Sequence, residues 1–88
     1  MSPTPERFMW AFTRAMEYIA NGEVRNGMMS FASDASKIDL NLGIMGMACV
    51  ICQNAEEAIK IMAGFPSAPD EVKKYYDNPQ SAMEKWKK

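Results

Sequence analysis

Residues 40–63 read LNLGIMGMACVICQNAEEAIKIMA, and the fold turns on how this stretch is taken. It carries no charge before Glu56, then changes to Glu56-Glu57 and Lys60 among alanine, isoleucine and methionine. Behind it stands Gly64-Phe65-Pro66. Glycine suits the first position past a helix, Phe65 can fold back on the last turn, and Pro66 forbids continuation. The spacing predicts a single helix from about Leu40 to Ala63 with a core stripe of Ile44, Ala48, Ile51, Ala55, Ile59 and Met62.

The stripe does not use up the apolar residues. At about 100° per residue, Leu42, Gly46 and Cys49 align with Gln53, Glu56 and Lys60, on the side that should face water. The second half of the predicted helix is amphipathic, whereas the first half is apolar all round. Such a segment has to be covered on every side, by the chain's own helices or by another molecule. Gly43 and Gly46 sharpen the point, because glycine inside a helix costs stability and suggests close approach by another backbone. Tight packing within the chain and a helix–helix contact between chains both fit.

Upstream, Thr4-Pro5-Glu6 has the form of a helix start: a hydroxyl cap, proline in the first turn and an acid against the dipole. Phe8, Phe12, Ala15, Met16 and Ile19 follow on one face, and Asn21-Gly22 ends the helix. A second helix is predicted from about Glu23 to Ile38, with a seam of Val24, Met28, Phe31, Ala35 and Ile38. Its polar face holds Arg25, Ser33, Ser36 and Lys37, and Gly27 weakens it by about 1 kcal/mol relative to alanine. Downstream, Ser67-Ala68-Pro69-Asp70 opens a short helix with Val72, Tyr75 and Tyr76. Asn78-Pro79 opens another with Ala82, Met83 and Trp86. Alternation at period two is nowhere sustained. The expected fold is all-α: a small bundle of three main helices plus two short C-terminal ones, forming one domain over residues 1–88.

The 88 residues hold ten basic and eleven acidic side chains, no histidine, two cysteines and nine methionines. A net charge of −1 gives no bulk attraction to phosphate, which disfavours a nucleic-acid partner. The start lacks the basic and apolar pattern of a signal peptide, and the uncharged run from Leu40 to Ala55 is shorter than a membrane span. A soluble, cytoplasmic protein with no membrane partner and two reduced thiols is expected.

Candidate chemistry is thin. Cys49-Val50-Ile51-Cys52 is a C-x-x-C without a nearby cation, histidine or helix start to lower a thiol pKa. As a metal site it supplies two ligands, extended by Met45 and Met47 only for a soft ion such as monovalent copper. Two small apolar residues in a packed helix account for it with fewer assumptions, so no metal ligand and no cofactor are assigned. Without histidine the commonest general base is absent; Glu56-Glu57 and Asp70-Glu71 fit solvated helix surfaces, and no catalytic residue is assigned. Tyr75-Tyr76 and Trp86 lie among lysines, a mixture also found at nucleic-acid contacts, but acids are interspersed.

Two further apolar residues fall off their helices' core faces. Trp10 projects near Thr13 and Glu17, and Met29 lies among Arg25, Ser33 and Ser36. Packing of Trp10 over the stem of Arg14, or under the C-terminal helix, is the plainer account. The functional expectation is a non-enzymatic interaction protein: a small adaptor, inhibitor or regulatory subunit, of the phage or mobile-element kind by analogy only. It would bind a protein partner, or itself as a homodimer, through Trp10, Met29, Leu42, Met45, Gly46 and Cys49. A DNA-binding regulator and a Cys/Met metal or redox protein are the alternatives.

Overall fold

In the computed structural model, which describes residues 3–87, the chain is all-helical, with no strand among those residues. The helices are α1 (Pro5–Ala20), α2 (Val24–Ile38), α3 (Leu40–Val50), α4 (Ala55–Ala63), α5 (Asp70–Lys73) and α6 (Pro79–Trp86). The expected fold class is therefore correct, but the third predicted helix is two.

The first helix follows its sequence signals closely. The Thr4 hydroxyl accepts the Arg7 backbone N–H at 3.2 Å, Pro5 occupies the first turn, and Gly22 takes φ 78° just past the end. Phe8, Phe12, Ala15, Met16 and Ile19 are buried, with Ala11 beside them. In α2 the middle of the expected seam, Met28, Phe31 and Ala35, points inward. At its ends Val24 is half-buried and Ile38 is exposed. Gly27 has a packing role: a β-carbon there would lie 2.7 Å from the Tyr18 β-carbon, so the glycine lets α2 close onto α1. At the rim of that contact Asp34 accepts from the Tyr18 hydroxyl at 3.5 Å and pairs with Arg14 at 3.7 Å. Both groups are partly solvated, and pairs of this kind add little.

A single extended residue, Asp39, reverses the chain into α3. Its carboxylate accepts the backbone N–H groups of Asn41 at 2.8 Å and Leu42 at 3.4 Å, which caps the new helix. The reversal lays α3 back along α2, the most extensive helix pair in the molecule.

The expected helix over 40–63 breaks at 51–54. Asn54 is extended (φ −145°, ψ 163°), and its side-chain oxygen accepts the Glu57 N–H at 2.9 Å, so Asn54 starts α4 afresh. A side-chain cap satisfies one of the donors a helix start leaves open. The break also resets the helical phase. In α4 the inward residues are Ala58, Ile59, Met62 and Ala63, as the stripe of Ile59 and Met62 requires. In α3 they are Leu42, Gly43, Met45, Gly46 and Cys49, whereas Ile44 and Ile51 face out. The stripe assigned upstream of Ala55 was thus the phase of α4 carried across a discontinuity. At the far end of α4, Gly64 remains right-handed (φ −86°) instead of left-handed, and the chain tightens through N–H donation from Gly64 to Lys60 and from Phe65 to Met62.

The C-terminal helices close the core. Tyr75 stacks on Phe12 with ring centroids 5.8 Å apart, and Trp86 meets Phe12 edge-on at 5.5 Å. Arrangements of this kind contribute about 0.5–1.5 kcal/mol each beyond their buried area. Val72 and Ala82 are buried, Met83 is half-buried, and Tyr76 stays exposed. The C-terminal helix therefore covers Phe12 with Trp86, while Trp10 stays partly exposed on α1. Among the described residues no helix is long and apolar enough to cross a membrane.

Candidate functional site: the outer face of α2 and α3

Two backbones approach closely where glycines face small residues. A β-carbon on Gly43 would lie 2.6 Å from the Ser36 β-carbon, and one on Gly46 would lie 2.6 Å from the Ala32 α-carbon. The close contact that Gly43 and Gly46 pointed to is thus internal to the chain. With so little space between the helices, the large side chains of α3 have two places to go. Leu42, Met45 and Cys49 turn into the core and are fully buried. The remainder turn outward: Leu40, Ile44 and Met47 are 76, 54 and 63% exposed, and Ile51, just past the helix end, is 81% exposed.

This reverses part of the expected surface. Leu42, Met45, Gly46 and Cys49 are covered by the chain's own helices and offer nothing to a partner. The segment has too many apolar residues for one covered side, as its composition implied, but the uncovered excess is on the opposite face. The signal for that face was the run Leu40, Ile44, Met47, Ile51, at intervals of four, three and four. It could not be told from the inner run without knowing where the helix broke.

Met29 belongs to the outer face. It is 61% exposed on α2 and lines an open groove of about 490 Å³ between the two helices. The α3 wall of this groove is Leu40, Ile44, Met47 and Val50, while the α2 side is low along Ala32, Ser33 and Ser36 and rises at Met29. None of the described residues that line the groove is charged. Trp10 lies elsewhere. It is 43% exposed in a shallow hollow made wholly by α1, with Glu6, Thr13 and Glu17, one turn from Arg14.

The cysteines sit in apolar surroundings on the inner side. The Cys49 thiol donates to the Ala58 carbonyl at 3.8 Å and the Cys52 thiol to the Ala48 carbonyl at 3.9 Å. Burial, reinforced by the neighbouring Cys52, pushes the Cys49 pKa up to about 12. Burial, and secondarily the Glu57 carboxylate, also raises that of Cys52. A thiol held protonated in this way is a poor nucleophile and a poor metal ligand. The wider soft-ligand set is divided, since Met45 faces the core with Cys49 while Met47 faces out. Among the described residues no three His, Cys, Asp or Glu side chains are grouped to hold an ion. At the C-terminal end Lys74 lies over the Tyr75 ring at 5.2 Å and Lys85 over the Trp86 ring at 5.1 Å, so cations and aromatics there pair with one another.

The chain matches no protein-family model, no curated protein and no solved structure.

Proposed function

We propose that the protein is a non-enzymatic interaction module, acting as a small adaptor, inhibitor or regulatory subunit in a reducing compartment such as the cytoplasm. It works by docking a protein surface onto the outer face of α2 and α3. One observation carries this reading: Leu40, Ile44, Met47 and Met29 stand exposed around one uncharged groove, and Ile51, four residues past Met47, is exposed as well. Scattered apolar residues on a surface are ordinary, whereas a contiguous group marks a contact. Methionine at two of the five positions suits a surface that adapts its shape to what it meets. The face lacks the cations that phosphate binding needs, which favours protein over nucleic acid. The protonated, core-facing thiols favour a structural role for Cys49 and Cys52 over redox or metal chemistry.

Site-specific photo-cross-linking in the cells that make the protein tests this reading. A cross-linking residue at Met47 or Ile51 gives adducts of discrete mass, and one at Lys73 on α5 does not. No adduct at either position, or the same pattern from all three, would overturn the reading.

A further inference from the structure

We infer that the outer face docks a second copy of this chain, related by a two-fold axis; the inference rests on the reading of that face as a docking surface. The groove has a tall wall beside a low one. Leu40, Ile44 and Met47 form a row of large apolar side chains along α3. Next to it, Ala32, Ser36 and Gly43 form a slot, shallow because the two backbones are so close. A two-fold axis lying in the plane of the face and running along the helices lays each copy's row against the other's slot. An isologous contact needs a surface that complements itself in this way.

Charge agrees with shape. A two-fold contact sets like against like near its axis, so a face bearing net charge repels its own copy. None of the described residues lining this groove is charged, and α3 itself has no charged residue. A partner of other chemistry, such as a basic or acidic helix, would find no opposite charge here to fix its register.

Area sets the strength. At the areas implied by side-chain burial, five side chains this exposed offer roughly 500 Å² of apolar surface. Two copies together would then bury at most about 1,000 Å², below the roughly 1,200 Å² at which stable complexes begin and within the range of weak, transient ones. The dimer is accordingly weak and reversible, and its formation depends on concentration.

Sedimentation equilibrium from low micromolar to several hundred micromolar chain tests this. The wild type rises from the 9.9 kDa chain mass toward twice that value. Ile44→Glu places a carboxylate in the slot and weakens association by about 30-fold or more. Met29→Glu, on the other helix of the same face, provides a second variant should the first lose its far-UV helicity. Lys73→Glu leaves association unchanged. A wild type that stays monomeric throughout, or a dimer that survives both Ile44→Glu and Met29→Glu, overturns the inference. Cross-linked adducts with a different protein and none at twice the chain mass also overturn it, while supporting the broader docking reading.

Discussion

A β-carbon added at residue 46 would stand 2.6 Å from the Ala32 α-carbon, and backbone cannot step aside as a side chain can. Gly46→Ala sets two effects against each other. Alanine improves helix propensity by about 1 kcal/mol. Forcing helices apart in a close-packed contact costs about 1–3 kcal/mol. The second wins, and urea unfolding of Gly46→Ala shows a net loss of about 1 kcal/mol; a gain would contradict the close approach of α2 and α3. Cys49 gives a prediction in pH. Its folded pKa lies near 12, above the ordinary thiol value of 9.0. Between these values the unfolded chain releases the proton and the folded chain keeps it, so the thiol's contribution is fully present below about pH 9 and is lost as pH rises toward 12. The limiting slope is about 1.4 kcal/mol per pH unit. Urea titrations of wild type and Cys49→Ala at about pH 7 and about pH 10 show the wild type's margin narrowing by about 1 kcal/mol. A constant margin would mean that the thiol is solvated.

At the scale of elements, the decisive feature is the interruption at 51–54. If Asn54 caps α4, Asn54→Ala destabilises by about 1 kcal/mol. In an unbroken helix the same change would stabilise by several tenths of a kcal/mol, because alanine is the better helix former. The sign of the change in melting temperature separates the two. This element also shows what the amino-acid sequence made legible. α1 could be read almost entirely, since Thr4, Pro5, Asn21 and Gly22 mark its ends and its apolar residues share one face. α4 was readable in phase from Ile59 and Met62. α3 was not, because a helix apolar on all sides has no polar face to fix its rotation. Carrying the phase of α4 into α3 fails because a cap stands between them, Asn54 followed three residues later by Glu57. What survived that error was the excess itself: more apolar surface on α3 than one covered side can absorb.

For the whole molecule, the accessible surface of 5242 Å² is close to the ~5,200 Å² that scaling gives a folded monomer of this mass. The amount of surface is ordinary, and its unusual feature is where the apolar part gathers. Among the described residues the buried core is made of apolar side chains, with the Cys49 thiol bonded to the Ala58 carbonyl inside it and the Ser67 hydroxyl oxygen buried without a hydrogen-bond partner, so packing carries most of the stability. The docking face exists only if α3 presents this side to solvent, and neighbouring methionines report which way it faces. Met45 is fully buried and Met47 is 63% exposed. Thermal unfolding of Met45→Glu and Met47→Glu, in dilute solution where chains do not associate, tests this directly. Met45→Glu puts a carboxylate in the core and abolishes cooperative folding, whereas Met47→Glu shifts stability by no more than about 0.5 kcal/mol. Equal losses in the two variants, or the greater loss in Met47→Glu, would contradict the orientation of α3 and the docking face built on it.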